Sequence, residues 1–372
     1  MSEIPFTIPF VSKQTMVNLQ IAFEKEIQQG NGEYSKEVEL RIEVLYPGYS
    51  AYLMPSCTAS LELSLMLLDV GPGDEVILPS FNFPSAATAV TKFWATPVFC
   101  DIDLNTGCLD YQDLESKVSE KTKAIIWVDY AGLAPNIPPI SSLARKRGIA
   151  LIEDAAHMFG SQPRAGQISE ADFVAFSFHA TKNIQCGEGG ALLIKDSKIA
   201  ERAHVMREKG TNRREQQLGK VQKYRWVDRG SSYLLPEICA AVLCSQLDER
   251  TAILAKRQSI IAIYREELSG LDDAGWETLL DTESAGHMFA LLAPSEGERE
   301  SLLSYLTNRG IFAASHYEDL ASSPAGQRLG KNSSPCSNSI AFSKRILRLP
   351  LYFSMNEDQT KNVCQRVKSY LK

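Results

Sequence analysis

Short apolar runs alternate with amphipathic stretches between about residues 50 and 195, and this alternation constrains the fold more than any other feature of the chain. The strand-like runs are EVILP (75–79), PVFCDI (97–102), AIIWVDY (124–130), IALIED (149–154), DFVAFSF (172–178) and ALLI (191–194). Helix-like stretches lie between them, at 59–69, 84–93, 111–118 and 140–147. This spacing predicts an α/β fold with a mostly parallel sheet covered by helices on both faces, and ligands at the carboxyl ends of the strands.

The C-terminal third has a different pattern, which predicts a smaller α+β region. A long helical segment begins at Pro236, and a closing helix carries a predicted capping box of Ser354 with Glu357. Between them the pattern predicts a strand at HMFALLA, a helix at GERESLLSYLTNRG and a strand near IFAASHY. We therefore expect a large domain over 1–245, which includes two N-terminal helices around the Gly-Asn-Gly break at 30–32, and a small domain over 246–372.

Charge and composition exclude several classes of protein. The 372 residues carry a formal net charge of −6 with no basic block, which argues against nucleic acid as the main partner. The opening MSEIPFTIPF lacks the pattern of a signal peptide, and the longest apolar run, around LSLMLLDV, is too short to cross a membrane. The eight cysteines form no CxxC pairs, so we expect reduced thiols, a cytoplasmic protein and no metal site.

A lone lysine, Lys182, lies in the segment FSFHATKNIQCGEGGALLI between two predicted strands. Taken alone, it is compatible with a snorkelling or ion-paired lysine, or with a covalent catalyst. The glycines after it do not match a dinucleotide-binding loop, because a strand rather than a helix follows them. Motifs of P-loop NTPases, zinc proteases of the HExxH type and GxSxG hydrolases are absent from the sequence.

Other candidate groups fall at the same edge of the predicted sheet. Asp154 ends a strand, and a buried carboxylate there needs a partner such as a protonated ring nitrogen. The segment PSCTAS (55–60) opens a helix, where it serves either as a phosphate seat or as a plain N-cap. Phe81 and Phe83 follow another strand, where each either covers a flat ring or packs in the core. An amine, a carboxylate, a phosphate seat and an aromatic cover are the parts that pyridoxal phosphate requires.

The motifs FSFHATKN, GEGGALL, EDAAH and SCTASLEL resemble those of the DegT/StrS family of sugar-nucleotide aminotransferases, which are fold-type-I pyridoxal phosphate enzymes. The resemblance extends from about residue 5 to the C-terminus and implies a seven-stranded sheet. The segments REKGTNR (207–213), KYRWVDRGSSYL (223–234) and RILRLPLYF (345–353) are similar to a subgroup that aminates C4 of dTDP-4-keto-6-deoxyhexoses.

The resemblance implies a role for each matching residue. Lys182 would bond covalently to the cofactor, Asp154 would pair with its pyridine nitrogen, and His157 would lie against it near the 3-hydroxyl. The positions that match its phosphate contacts and ring-stacking aromatic are Thr58, Ala59, Ser177 and Phe83. The positions expected on the substrate side are His179, Asn183, Lys209, Asn212, Arg213, His316 and Tyr317. The alternative for Lys209, Asn212 and Arg213 is that they lie at a solvated helix end.

Two positions depart from the family pattern. Many members place an asparagine of the neighbouring subunit on the cofactor phosphate, whereas this chain has Leu234, with Ser231 or Ser232 as possible substitutes. Relatives often have HYAG where this chain begins DYAG with Asp129.

The resemblance implies transfer of an amino group from L-glutamate to a dTDP-4-keto-6-deoxyhexose, in a homodimer with sites at the interface. The galacto and gluco products both stay open, as does amination at C3 or of a UDP-keto-sugar. A non-enzymatic protein of the same fold is a further alternative. A deoxygenating dehydratase is disfavoured, because those relatives carry histidine where this chain has Lys182.

Overall fold

A computed structural model describes residues 3–26, 28–160, 170–279, 285–331 and 334–371. The strands in these ranges are β1 Ser50–Met54, β2 Glu75–Pro79, β3 Thr96–Cys100, β4 Thr122–Val128, β5 Ala150–Asp154, β6 Phe173–Ser177, β7 Gly190–Ile194, β8 Glu277–Leu279, β9 Phe289–Leu292 and β10 Ile346–Leu349. The helices are α1 Lys13–Glu24, α2 Glu33–Leu45, α3 Cys57–Leu67, α4 Ser85–Lys92, α5 Tyr111–Lys117, α6 Ile137–Arg147, α7 Ser197–Arg207, α8 Arg213–Gln217, α9 Glu237–Asp248, α10 Arg250–Glu267, α11 Glu296–Thr307, α12 Pro324–Leu329, α13 Ser337–Arg345 and α14 Glu357–Leu371.

The main sheet of the described residues has seven strands in the order β1-β7-β6-β5-β4-β2-β3. Its strands are parallel except β7, which runs antiparallel to both β1 and β6. The predicted α/β class and mostly parallel sheet are confirmed, and the six strands predicted in this region end within two residues of the observed bounds. Strand β1 was not predicted.

Burial on both faces explains why the strands read as continuous apolar runs. In β4, Ala124 and Ile126 pack in a cluster that includes side chains of α3 and α4, whereas Ile125 and Trp127 pack in a second cluster with side chains of α6 and α9. The sheet is therefore a central layer, and its strand ends are the accessible edge.

The N-terminal helices are anchored to α9 by a buried carboxylate. Glu237 accepts hydrogen bonds from the backbone N–H groups of Gly32 (2.8 Å), Tyr34 (2.9 Å) and Ser35 (3.1 Å) at the start of α2. First-turn amides have no partner within their own helix, so Glu237 supplies the missing acceptor from a distant element.

The C-terminal region folds around the antiparallel sheet β10-β9-β8. Its core contains Tyr264, Trp276 and Phe289, together with apolar side chains of α11 and α14. Ile4 joins the same cluster and bonds to the backbone of Gly310, so the N-terminal strand segment reaches this region. The division at residues 245 and 246 stays a prediction.

Three local predictions in this region were wrong. The long helix is two helices, because α9 buries its apolar side chains under the main sheet whereas α10 buries Ile260 and Tyr264 in the C-terminal core. The strand expected at 311–317 reduces to single bridges, of which Ala314 pairs with Arg348. The box that caps α14 is formed by Asn356 and Gln359, and not by Ser354 and Glu357.

That capping box is reciprocal. The Gln359 N–H donates to Asn356 Oδ1 (2.8 Å), and the Asn356 N–H donates to Gln359 Oε1 (3.0 Å). Because α14 begins at Glu357, the N-cap is Asn356. Asparagine is one of the preferred N-cap residues.

Two further findings concern the chain as a whole. All eight cysteines are free thiols. Within the described ranges, none of the helices combines the length and the apolar character needed to cross a bilayer.

Candidate active site

The loop of the β6–β7 hairpin, residues 178–189, carries Lys182 past the end of the main sheet. The Phe178 N–H donates to the Gly189 carbonyl (2.8 Å), and the Lys182 N–H donates to the His179 carbonyl (2.8 Å). Gly187 has φ +87°, a left-handed conformation that favours glycine. The glycine-rich stretch is thus the turn between two strands that its sequence context predicted.

The Lys182 side chain is partly buried, and its environment is unusual for an amine. Burial lowers the pKa of Lys182 to about 8, opposed by Cys57 and Asp154 and reinforced by the charge of Arg348. About a tenth of this lysine is therefore a neutral amine at pH 7, far more than of a free lysine, and the neutral amine is the form that acts as a nucleophile or a base.

Asp154 is buried at the carboxyl end of β5. Its Oδ1 accepts the Ala156 N–H (3.2 Å) and the Cys57 thiol (3.6 Å). Burial raises the pKa of Asp154, while the Ala156 N–H, the Lys182 charge and the Cys57 thiol oppose the rise. In the part of the chain that the structure describes, no ion pair occupies this carboxylate, so it has capacity for a further N–H donor.

The N-terminus of α3 lies directly against the start of β7, and Gly190 makes this approach possible. A Cβ at Gly190 would lie 2.5 Å from the Ser56 carbonyl carbon and 2.6 Å from the Cys57 nitrogen. No side chain fits there, so the last glycine of the GEGG segment brings the first turn of α3 to the edge where Asp154 and Lys182 lie.

Some of the hydrogen-bond donors in the first turn of α3 already have partners within the protein. Ser56 is the N-cap, and its Oγ accepts the Ala59 N–H (3.1 Å). The Thr58 hydroxyl shares a hydrogen bond with the Ser85 hydroxyl (2.6 Å) at the start of α4. Two helix N-termini therefore meet here, which favours an anionic ligand. Ser85 was not predicted as a site residue.

Ser177 and His179 lie at the start of the lysine hairpin. Ser177 is the buried last residue of β6, and its Oγ accepts the His179 N–H (3.4 Å). The His179 ring bonds to the Thr181 hydroxyl (2.9 Å) and lies 3.6 Å from the exposed carboxylate of Glu188. His179 is thus held by its own hairpin.

Asn183 ties the lysine hairpin to the segment before β9. Its side-chain amide donates to the Ala285 carbonyl (2.7 Å), and its Oδ1 lies 3.4 Å from His287 Nδ1. This buried contact identifies Asn183 as a residue that positions the hairpin next to Lys182.

His157 lies beyond Asp154 in a stack of rings. Its Nδ1 accepts the Ala131 N–H (3.3 Å), so in the neutral ring Nε2–H donates to the Tyr317 hydroxyl (3.2 Å). The ring stacks on His287 with centroids 4.4 Å apart. Burial and the Lys182 charge lower the pKa of His157 well below its ordinary value, so the ring is neutral.

The two candidate aromatic residues, Phe81 and Phe83, differ in burial. Phe81 is 2% exposed and packs edge-on against Tyr130 and Phe342 in the core. Phe83 is 57% exposed and lies 5.8 Å from the Tyr317 ring. Phe83 is therefore the one available to cover a flat ligand.

The rings of His316 and Tyr317 line another side of the site. Their rings stack at 4.1 Å, and the Arg348 guanidinium donates to His316 Nε2, so Nδ1–H donates to the Tyr130 hydroxyl (3.0 Å). Sequence reasoning did not single out His287, Tyr130 or Arg348 as site residues, because they lie far from the lysine motif in the chain.

A family model matches residues 13–368 and is described as the DegT/DnrJ/EryC1/StrS aminotransferase family. The chain belongs to this aminotransferase family. A sugar aminotransferase from Streptococcus pneumoniae titled putative, Spr1654 in its PMP form, is 26% identical with a TM-score of 0.89, and the match covers 99% of this chain and 98% of that one. DesV of S. venezuelae is also 26% identical with a TM-score of 0.89, over 100% of this chain and 99% of that one.

Members of the DegT/DnrJ/EryC1/StrS family depend on pyridoxal phosphate, and this chain is an aminotransferase of the EC 2.6.1 type. Its residues fit the cofactor. A lysine of lowered pKa, a buried carboxylate with spare acceptor capacity and two converging helix N-termini lie at one sheet edge, where Gly190 leaves no side chain in the way.

Four predicted site residues of this aminotransferase have no described contact with the residues around Lys182. Lys209 donates its N–H to the Ser231 carbonyl (2.9 Å), and Asn212 bonds to the backbone of Arg225. Arg213 and Ser232 are exposed on the same surface segment. Among the described contacts, none joins Lys209, Asn212, Arg213 or Ser232 to the residues around Lys182, so their roles stay predictions.

Proposed function

We propose that this aminotransferase moves the amino group of L-glutamate to C4 of a dTDP-4-keto-6-deoxyhexose, giving a dTDP-4-amino-4,6-dideoxyhexose of the galacto or gluco series. The observation that carries the proposal is that Lys182, whose pKa burial lowers to about 8, and the buried carboxylate of Asp154 lie close enough for each charge to influence the pKa of the other.

Lys182 would hold the cofactor covalently, and its amine would serve as the base and acid that moves protons at the carbon that carries the transferred nitrogen. When bound, pyridoxal phosphate supplies an electron sink for that carbon. The neutral fraction that burial creates in Lys182 is the form that removes the proton, and the protonated form returns it.

Asp154 would accept a hydrogen bond from the pyridine N–H and, as a carboxylate, would keep that nitrogen protonated. A new ionic partner offsets the desolvation that raises its pKa in the free site. His157, held neutral between Ala131 and Tyr317, presents a fixed ring beside the cofactor near the 3-hydroxyl.

Thr58, Ala59 and Ser177, at the N-terminus of α3 and the end of β6, would hold the cofactor phosphate. Thr58 and Ala59 now bond to Ser85 and Ser56, and these donors would be available to the phosphate if those bonds were exchanged. Phe83, the exposed aromatic, would cover the ring.

The sugar nucleotide is supported by the REKGTNR, GSSYL and RILRLPLYF segments and by the relatives, of which Spr1654 is titled a sugar aminotransferase. On this proposal His179, His316 and Tyr317 face the substrate, whereas the buried Asn183 acts by holding the hairpin of Lys182 in place. In the proposed homodimer, Lys209, Asn212, Arg213 and Ser232 would bind substrate or cofactor in the site of the partner subunit, which is consistent with the lack of a described contact between them and the residues around Lys182.

The test is amination of dTDP-4-keto-6-deoxyglucose by the cofactor-loaded protein with L-glutamate, with NMR of the product to establish the aminated carbon and its epimer. A panel with 3-keto and UDP-linked sugars runs in parallel, and faster turnover of either one would replace the proposed substrate. Lys182→Ala is expected to abolish turnover and borohydride-trapped labelling of position 182. Turnover by Lys182→Ala without added amines would contradict the assignment of the lysine.

A further inference from the structure

The Tyr317 hydroxyl has a single hydrogen-bond partner among the residues the structure describes. That partner is His157 Nε2, at 3.2 Å. The tyrosine ring is partly buried, and it stacks on the His316 ring with centroids 4.1 Å apart and only 7° between the two planes. Tyr317 is therefore held in a fixed orientation, and its hydroxyl has capacity for a further hydrogen bond.

The tautomer of His157 determines which group donates in that bond. The Ala131 N–H can only donate, so His157 Nδ1 accepts it (3.3 Å). Burial and the Lys182 charge lower the pKa of His157, so the ring is neutral and carries its one proton on Nε2. Nε2–H donates to the Tyr317 oxygen. The hydrogen of the Tyr317 hydroxyl is consequently outside this bond, and among the described residues no acceptor takes it.

The Tyr317 phenol keeps its proton at neutral pH. Burial raises the pKa of Tyr317 above its ordinary value, and the charge of Arg348 opposes the rise. The bond that the phenol oxygen accepts from His157 polarises the O–H, because hydrogen bonds in a chain strengthen one another where the dielectric constant is low. The hydroxyl is thus a donor and not a base.

The neighbours of Tyr317 place this donor close to the reacting groups. The Lys182 charge is near enough to lower the pKa of His157, and the Asp154 charge is near enough to raise that of Tyr317. The Tyr317 ring also lies 5.8 Å from the ring of Phe83, which is 57% exposed. Tyr317 therefore bridges the buried His157 and the exposed aromatic residue, next to the lysine and the carboxylate on which the proposed reaction depends.

We propose that Tyr317 is a catalytic residue whose hydroxyl donates a hydrogen bond to the ketone oxygen of the amino-group acceptor. When an amine adds to a ketone, the nitrogen lone pair forms the new C–N bond and the carbonyl π pair moves to the oxygen. A donor oriented before the substrate arrives stabilises this charge without reorganisation. The oxygen then leaves as water with two protons that the nitrogen supplied, and Tyr317 keeps its own proton throughout.

This inference rests on the proposed function, because a ketone acceptor belongs to that reaction. It concerns the ketone oxygen alone, and neither the sugar nor the nucleotide that carries the ketone enters the argument. A loss of the hydroxyl should therefore act on the rate of the chemical step more than on binding, since the charge on the oxygen develops only in the transition state.

The first experiment measures single turnovers of the aminated enzyme with dTDP-4-keto-6-deoxyglucose, followed by cofactor absorbance. Tyr317→Phe is expected to lower the limiting rate constant by about a hundredfold, while the sugar concentration at half-maximal rate stays within about threefold of wild type. The matched control is Tyr370→Phe, which removes a hydroxyl that bonds to Glu298 on the surface and should leave both values unchanged. A limiting rate constant within about threefold of wild type in Tyr317→Phe would overturn the proposal.

The second experiment needs no turnover and tests whether the hydroxyl serves the cofactor instead. Absorbance spectra and cofactor titrations are recorded for wild type and Tyr317→Phe loaded with pyridoxal phosphate. We expect the same absorption maximum and an affinity within about threefold, because the ketone oxygen is absent from this state. A shifted maximum, or a tenfold loss of cofactor affinity, would assign the hydroxyl to an oxygen of the cofactor and overturn the proposal.

If Tyr317→Phe does not fold, judged by circular dichroism, 3-fluorotyrosine incorporated at position 317 decides. Its phenol has nearly the same shape and is more acidic, so it is a stronger donor and should raise the limiting rate constant with the ketone. An unchanged or lower rate constant would overturn the proposal.

The acceptor panel separates this inference from the proposed function. If wild type prefers a 3-keto or UDP-linked sugar and Tyr317→Phe slows that reaction about a hundredfold, the inference holds and the proposed substrate is refuted. Amination of dTDP-4-keto-6-deoxyglucose at C4 by wild type and Tyr317→Phe at equal rates would do the reverse.

Discussion

The Cys57 thiol donates to Oδ1 of Asp154 across 3.6 Å, and this contact joins the first residue of α3 to the last residue of β5. Burial, reinforced by the carboxylate itself, raises the pKa of Cys57 well above its ordinary value, so the sulfur keeps its proton and acts as a donor. The carboxylate is thereby oriented by a helix start on one side and by the Ala156 N–H on the other.

The first prediction concerns that carboxylate. We expect Asp154→Asn to bind cofactor and to lose about a hundredfold or more in kcat, because an amide cannot hold a positive charge on the pyridine nitrogen. The 15N chemical shift of the labelled ring nitrogen should move to the unprotonated range. Cys57→Ala serves as the graded comparison and should retain a protonated ring with a much smaller loss; an Asp154→Asn enzyme that works at the wild-type rate would show that the carboxylate has another role.

A second prediction tests the close approach at Gly190. Gly190→Ala places a Cβ against the backbone of Ser56, so we expect a loss of about 2 kcal/mol in unfolding free energy and weaker cofactor binding as the first turn of α3 is displaced. Denaturant midpoints and a cofactor titration measure the two effects. Gly71→Ala is the matched control, since a Cβ there meets no atom within 4 Å and should change neither value. Normal affinity in Gly190→Ala would mean that the α3 terminus does not hold the phosphate.

A third prediction tests the N-terminal anchor. Glu237→Gln replaces a fully buried acceptor of three backbone N–H groups with a neutral amide, and we expect a loss of about 2–4 kcal/mol in unfolding free energy. Urea denaturation followed by circular dichroism provides the value. The comparison is Glu33→Gln, whose exposed pair with Lys25 should contribute nothing measurable. Equal midpoints for the two variants would refute the anchoring role.

The fourth prediction is a pH dependence. A free lysine has a pKa of 10.5, and burial lowers that of Lys182 to about 8, so the neutral amine becomes the major form above about pH 8. In cofactor-free protein, capture of pyridoxal phosphate should therefore accelerate about tenfold per pH unit below 7 and level off above 8. Stopped-flow absorbance records the rate. The reaction of N-acetyllysine with pyridoxal phosphate is the control, because it shows any pH dependence that comes from titration of the cofactor itself. A rate that still climbs with pH near 10 would show that the site does not lower the lysine pKa.

The local patterns of the chain were sufficient to predict six of the seven strands of the main sheet. The strand EVILP is observed at its predicted bounds, Glu75–Pro79, because a run buried on both faces stays apolar throughout and ends at turn residues. Strand β1, with the sequence SAYLM, was missed because its pairing with β7 is a long-range choice, and nothing in its five residues indicates that partner.

The residues of the candidate site also differ in whether local sequence patterns could predict them. Lys182, Asp154 and the PSCTAS segment could be predicted because each follows a strand or opens a helix, and parallel topology places such positions at one edge. His287, Arg348 and Ser85 were beyond prediction, since chain segments that are distant in sequence deliver them.

The sequence by itself determined the α/β class, the lysine hairpin and the chemistry of the groups at the strand ends, because periodicity and turn residues act over a few neighbours. Only the tertiary structure decided which groups have partners: it placed Cys57 on the Asp154 carboxylate and Asn183 on the Ala285 carbonyl, and among the described residues it left Arg348 Nε buried without a hydrogen-bond partner. Burial and hydrogen bonding depend on contacts between distant segments, and these contacts exist only once the chain has packed.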